Sequence, residues 1–300
     1  MRPTQIETRT WAASTLSGIR PIAWVGMLAF SSLPEVAAVE VFGWQDPPGG
    51  WMRLTAASVL VVVASVWHRA MPLRPFFVVM TAVIVLDDFL LGWLGGLLEV
   101  EGASALAVVV TGYTLPFFLL AVAFMLFLVF GLRLSPRESY LRVGELRGPS
   151  PVRLDGMRQP LSWATVGTLM TIVFGAMIGT ALLTDGSVGL SVDLVVPVIP
   201  LVFVSAFFNS FAEEVVMRAG PLATLAGVTG TGQAVLLTAT WFGLAHWLDG
   251  IPSGLPGAIG SVVFGAALGW TMVKTRGLGW PVIIHLAADA MIMVSIAAAL

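Results

Sequence analysis

Two adjacent glutamates and an arginine lie in an apolar stretch of the chain, within the run 211–218. An ionisable side chain at membrane depth costs about 2.5–3.5 kcal/mol on insertion scales, so a chain keeps one mainly where it is paired or used. Glu214 and Arg218 are four residues apart and share a helical face, which predicts an ion pair. Glu213 is turned by about 100° from Glu214 and shares its face with Asn209. It is therefore either a free carboxylate or a second charge partner for Arg218.

Two of the three histidines follow this run, each in an apolar segment. Phe242 precedes His246 by four residues and Asp289 follows His285 by four, so each histidine has a companion on its own face. One buried histidine is usually a satisfied core residue, but two of them downstream of a carboxylate pair indicate a functional site. The candidate site residues are Glu213, His246, His285 and Asp289. The candidate supporting residues are Asn209, Glu214, Arg218 and Phe242.

Glutamate and histidine in a wet pocket within a membrane suit peptide hydrolysis, which needs an activated water and a stabilised oxyanion. A buried glutamate can act as the general base. Histidines can orient the water, donate to the oxyanion, or bind a divalent metal such as zinc together with the glutamate. Glu213, His246 and His285 are the candidate metal ligands, and a mechanism without any metal is the alternative that we favour.

Several other chemistries lack their residues in this chain. No His-Glu-x-x-His run occurs, nor do the Gly-x-Ser-Gly and Gly-x-Gly-Asp runs of serine and aspartyl intramembrane proteases. The absence of cysteine excludes disulfides, thiol catalysis and cysteine-ligated metals. The net charge of −2, without a basic cluster of the nucleic-acid type, excludes nucleic acid as an expected partner.

The elements that position these residues are predicted to be membrane helices. The chain is 57% hydrophobic and only 11% charged, whereas a soluble domain has about 25% charged residues. Apolar runs of about 20 residues recur along the whole length, which predicts an all-α, polytopic bundle of about eight or nine transmembrane helices in a lipid bilayer. The predicted segments are approximately 21–41, 53–70, 76–98, 105–132, 161–183, 192–217, 231–248, 257–274 and 280–299.

Basic residues predict the orientation of the bundle. If the segments alternate, nearly all arginines and the single lysine fall on one side, Arg53 being the exception. That side is expected to be cytoplasmic and to hold the N-terminus. The membrane itself is expected to be a prokaryotic plasma membrane. A basic cytoplasmic loop, 134–160, separates N-terminal membrane helices without a clear motif, 1–133, from a catalytic core, 161–300.

Two further features concern helices in contact. Asp87 and Asp88 form a second intramembrane carboxylate pair, which marks a proton or ion path or, as we expect, a polar contact inside the bundle. The midpoint between Glu213 and His246 falls near Thr229, in a glycine-rich stretch. A helical hairpin that turns there would bring the two site residues to the same height.

The motifs together resemble the CAAX protease and bacteriocin-processing family (CPBP, also called Abi) of intramembrane endopeptidases. Its pattern is Glu-Glu-x-x-x-Arg, then Phe-x-x-x-His, then His-x-x-x-Asn or Asp, and all three occur here in order. The run 275–278, with Gly265 and Gly269 before it, is also similar to the family's glycine and Thr-Gly-Leu motifs. The resemblance covers about 195–295 and includes two departures. Ala219 stands where the family often has glycine, and Asp289 stands where the eukaryotic prenyl-protein endopeptidases have asparagine.

This resemblance implies a protease acting on a membrane-associated peptide or protein. It makes Glu213 the catalytic carboxylate, assigns His246 to the water, and assigns His285 with Asp289 to the oxyanion. An ionised Asp289 has no proton to donate, so it acts either in its protonated form or by orienting His285. The pair Glu214 and Arg218 would support the site.

Two other functions remain alternatives. The family also includes members that act in bacteriocin immunity or as membrane partners, which implies a non-proteolytic immunity or scaffold protein. A transporter could use Asp87 and Asp88 with Glu213 and His246 as a relay, although the asymmetry of the two halves disfavours an inverted-repeat transporter. Convergence of Glu213, His246 and His285 on one cavity open to the cytoplasm would favour the protease.

Overall fold

The regular secondary structure is entirely helical in the part of the chain that the structure, a computed structural model, describes: residues 13–98, 112, 114–184, 199–249 and 253–299. No β-strand occurs in these ranges, which confirms the all-α prediction. The α-helices are α1 (Ala13–Phe30), α2 (Leu33–Glu40), α3 (Gly49–Val66), α4 (Arg74–Ile84), α5 (Gly92–Leu98), α6 (Leu115–Leu126), α7 (Trp163–Thr184), α8 (Ile199–Glu213), α9 (Gly220–Thr229), α10 (Thr231–Asp249), α11 (Gly254–Thr275) and α12 (Gly279–Ala299). The π-helical turns are Val85–Leu91, Phe127–Gly131 and Glu214–Ala219.

Within the described ranges, five helical stretches are long and apolar enough to cross a membrane, or six if α1 and α2 form one broken span. The five are Gly49–Val66, Met71–Leu94, Trp163–Leu182, Ile199–Thr229 and Gly254–Thr275. Two shorter apolar stretches lie at Leu115–Gly131 and Gly279–Ser295. The protein is therefore an integral membrane protein, and the count of eight or nine spans stays a prediction. The predicted segments at 105–132 and 192–217 begin outside the described residues.

The predicted first segment is broken into two helices. α1 and α2 meet at an angle of 53°, and Pro34 lies in the first turn of α2. Proline suits that position because the first amides of a helix have no partner within it. Pro34, which interrupts the apolar run in the sequence, thus lies at a sharp bend between two helices.

The glycine-rich stretch forms the predicted hairpin. α9 ends at Thr229, α10 begins at Thr231, and Gly230 between them has a φ of +89°, which favours glycine. Arg20 of α1 donates from Nε to the carbonyl of Thr229 at 3.0 Å. The tip of the hairpin is therefore fixed against the first helix.

Part of the loop between α6 and α7 is fastened to the turn before α12. We call residues 142–146 the strap. Three backbone hydrogen bonds hold it, from Leu278 to Arg142, from Gly279 to Val143 and from Glu145 to Thr275. The backbones of Gly144 and Gly277 touch, so a Cβ at Gly144 would lie only 2.7 Å from the carbonyl oxygen of Thr275. The strap therefore fixes the position at which α12 begins.

The main apolar core lies between the first half of the chain and the π-helical turn with α9. It includes the fully buried Phe77, Phe124 and Leu222. A smaller cluster around Trp163 and Ile284 joins α7 to α12. These contacts hold the first half against the helices that carry the candidate residues.

Candidate active site

The imidazole of His285, on α12, lies between the two adjacent glutamates. Its Nδ1 donates to Oε1 of Glu214 at 2.7 Å, and its Nε2 lies 3.5 Å from Oε2 of Glu213. The two carboxylates thus approach the ring from opposite edges. Glu214 fixes the orientation of the ring, which leaves Nε2 facing Glu213.

Asp289 and Asn209 complete this cluster. Oδ1 of Asp289, one turn after His285, lies 3.4 Å from its Nε2. Nδ2 of Asn209 donates to Oδ2 of Asp289 at 3.0 Å and to Oε1 of Glu213 at 3.3 Å. A single amide therefore holds both carboxylates that face Nε2 of His285.

Only one of the two adjacent glutamates has access to water. The side chain of Glu214 is 0% exposed and that of His285 is 3% exposed, whereas that of Glu213 is 20% exposed. Glu213 is therefore the carboxylate that a water molecule or a substrate can reach.

Arg218 is fully buried and donates from Nη1 to Glu214, as the four-residue spacing predicted. Its guanidinium carbon lies 4.2 Å above the ring of Phe242, an arrangement that stabilises a cation. Gly265 leaves the space for this group, since a Cβ there would come within 3.4 Å of Nη2. Arg218 and His285 thus both bond to the same oxygen of Glu214, Oε1.

His246 is set apart from the cluster by one aromatic ring. Its imidazole is tilted by 46° to the ring of Phe242, with 4.3 Å between the ring centres, and its Nδ1 donates to the carbonyl of Phe242 at 2.7 Å. The Phe242 ring lies in turn 5.9 Å from the imidazole of His285. In the described parts of the chain, no hydrogen bond or ion pair joins His246 to Glu213 or His285. The structure thus gathers Glu213, His285 and Asp289, with His246 beyond Phe242.

The candidate metal ligands are not arranged as a metal centre. No group of three or more histidine, aspartate or glutamate side chains within the described ranges could hold a metal ion. Zinc requires ligand distances of about 2.0–2.2 Å from nitrogen and oxygen, and among the described residues His246 has no hydrogen bond or ion pair to Glu213 or His285. The residues in this arrangement do not fit a metal site, so the mechanism proposed below uses the side chains alone.

Sequence reasoning missed two features of the site. It assigned Glu214 to Arg218 alone, whereas Glu214 also accepts from His285. It also did not find a partner for Arg53, which donates to Asp88 at 3.0 Å and to Glu35 at 2.9 Å. That ion pair confirms the polar contact expected for Asp88, and it explains why one arginine departs from the charge pattern.

A comparison with family models identifies the same part of the chain. Residues 195–291 match the model described as type II CAAX prenyl endopeptidase, Rce1-like. The matched range contains Asn209, both glutamates and Asp289, and it confirms the resemblance to the CAAX proteases. No curated protein and no solved structure matches the chain. Residues 195–291 of this membrane protein are therefore similar to the Rce1-like type II CAAX prenyl endopeptidases.

Proposed function

We propose that this protein is an intramembrane endopeptidase in which Glu213 activates a water molecule for attack on a peptide bond. One observation carries the proposal: Glu213 is a partly exposed carboxylate 3.5 Å from Nε2 of a buried histidine. The match of residues 195–291 to the Rce1-like endopeptidase model supports protease activity. The substrate is a membrane-associated peptide or protein, because the site is built on membrane helices.

Glu213 is suited to be the general base. It takes a proton from the water, whose oxygen forms a bond to the carbonyl carbon of the substrate. When the tetrahedral intermediate breaks its carbon–nitrogen bond, Glu213 returns the proton to the leaving amine. A positioned acid–base group of this kind contributes typically about 10²–10⁴-fold to the rate.

His285 is suited to stabilise the oxyanion as an imidazolium, because its Nδ1 proton is donated to Glu214 and a second proton, on Nε2, is needed for donation to the oxyanion. Its Nδ1 is held by Glu214, so its Nε2 points to the side on which Glu213 lies. Asp289 contacts the same nitrogen and is held by Asn209. These contacts favour an orienting role for Asp289 over direct donation to the oxyanion. A single oxyanion donor is worth about 10²–10³-fold in kcat.

His246 is suited to hold the water. Because its Nδ1 donates to the carbonyl of Phe242, Nε2 carries a lone pair that can accept a hydrogen bond. A water between this nitrogen and Glu213 would be oriented by two acceptors, which leaves its oxygen lone pair for the attack.

The test is a peptide-library cleavage assay, read by mass spectrometry, on purified full-length protein in a membrane mimetic. Glu213→Gln keeps the size of the side chain but removes the acceptor, so cleavage is expected to fall about 10²–10⁴-fold with folding retained. The exposed Glu40 offers a matched control, and Glu40→Gln should cleave like the wild type. Full activity of Glu213→Gln would instead favour the immunity or scaffold function.

The predicted orientation is part of this proposal. A cytoplasmic loop at 134–160 puts the strap, and with it the start of α12, on the cytoplasmic side. Accessibility of the loop to an added protease in oriented vesicles tests it. Cleavage of the loop from the extracytoplasmic side alone would reverse the orientation.

A further inference from the structure

A polar cavity lies between the first half of the chain and the helices of the proposed site. It has a volume of about 220 Å³. Since a water molecule occupies about 30 Å³ of liquid, the cavity has room for a long side chain. The lining residues that matter here are Glu35, Arg53, Asp87 and Asp88 from the first half, with Met217 and Ala245 from the second.

The cavity adjoins the proposed catalytic residues. Met217 follows Glu213 by four residues on the same helical run, and Ala245 directly precedes His246. Asp87 lies close enough to Glu213 for their charges to interact. A residue next to the scissile bond of a substrate would therefore have this cavity within reach of its side chain.

The cavity contains more negative than positive charge. Arg53 uses Nε and Nη2 on Asp88 and Nη1 on Glu35. The side chain of Asp87 is partly buried, and its carboxylate has no hydrogen bond or ion pair to any described residue. An unpaired carboxylate in such surroundings costs free energy, and a chain tends to keep one where it is used.

We propose that this cavity is a specificity subsite that binds a lysine or arginine side chain of the substrate, with Asp87 as the acceptor. The inference rests on the proposed protease function. An ammonium or guanidinium group needs only a few acceptor oxygens and matches a single free carboxylate. A metal ion fits less well, because the described carboxylates are not arranged to hold one. Asp87 is then a specificity-determining residue contributed by the half of the chain that carries no motif.

The first experiment compares peptides that differ only in lysine or glutamine at positions near the cleaved bond. The readout is the ratio of kcat/KM for the two peptides. Wild-type protein should prefer lysine at one position, and Asp87→Asn, which keeps the shape but removes the charge, should reduce that preference about tenfold or more. Asp155 is exposed in the loop, so Asp155→Asn is the matched control and should keep the wild-type ratio.

The second experiment does not need cleavage. Agmatine, which carries a guanidinium on an alkyl chain, should raise the thermal unfolding temperature of the wild type in detergent and not that of Asp87→Asn, because a ligand of the native state stabilises it. If no peptide is cleaved but agmatine stabilises only proteins with Asp87, the protease function fails and the cation site stands. The subsite proposal would be overturned if the wild type did not prefer the lysine peptide, or if the Asp87→Asn variant kept that preference. It would also be overturned if agmatine raised the unfolding temperature of both proteins equally or of neither.

Discussion

Truncation of Arg218 should destabilise the fold strongly. Both members of its pair with Glu214 are 0% exposed, and breaking a buried ion pair by removing one partner costs about 3–5 kcal/mol. The structure favours the lower end of this range. Nε and Nη2 of Arg218 have no hydrogen-bond partner among the described residues, and Glu214 retains the bond from His285 after the arginine is lost. We therefore expect Arg218→Ala to cost about 3 kcal/mol.

The assay is thermal unfolding of the full-length protein in detergent. An unfolding entropy of about 2.1 cal/mol/K per residue is about 0.6 kcal/mol/K for 300 residues, so Arg218→Ala should lower Tm by about 5 °C. Arg137 is exposed in the loop, and Arg137→Ala should stay within about 0.5 kcal/mol of the wild type.

A double-mutant cycle separates the ion pair from the volume of the side chain. Glu214→Gln combined with Arg218→Gln removes both charges, so it should be more stable than Arg218→Ala. The coupling between the two sites should be about 0.5–3 kcal/mol, as for residues in direct contact. An Arg218→Ala variant with the unfolding temperature of the wild type would refute the reasoning, because it would show that the buried pair does not contribute to stability.

Three further predictions concern the site and its support. His246→Ala and His285→Ala should each impair cleavage severely, and adding Glu213→Gln to either should cost little more, because residues that act as one unit are non-additive; additive losses in cleavage assays would separate their roles. Cleavage should survive a strong chelator, whereas loss on chelation and recovery with added Zn²⁺ would establish a metal centre. Gly277→Ala should cost about 1–3 kcal/mol by overpacking and expose the strap to limited proteolysis. Gly260→Ala, where a Cβ meets nothing within 4 Å, is its control, and equal behaviour of the two would show that the strap contact is unimportant.

Contacts within one helix could be predicted from the sequence. Arg218 bonds to Glu214, Asn209 bonds to Glu213, and the rings of Phe242 and His246 are in contact. All three pairs are four residues apart, and helix geometry alone brings such residues together. The turn at Gly230 could be predicted for a similarly local reason, since only a few residues determine it.

Contacts between helices could not be predicted in this way. His285 bonds to Glu214 across 71 positions and Asn209 to Asp289 across 80. Which faces meet depends on how each helix is rotated and packed, and side-chain type and spacing do not determine that rotation. For the same reason the sequence showed that Asp88 needs a polar contact but did not identify Arg53 as its partner.

Both intramembrane carboxylate pairs lie at π-helical turns, one at Val85–Leu91 and one at Glu214–Ala219. A π-helical turn closes its hydrogen bonds over five residues instead of four, so it holds one residue more than an α-helical turn. Losing one residue from 215–217 would therefore restore a regular α-helical turn but leave Arg218 three residues after Glu214 instead of four. Substitutions at 215–217 can be compensated by neighbouring side chains, but a change in length cannot. Insertions and deletions in this interval should therefore be far rarer among functional variants than substitutions.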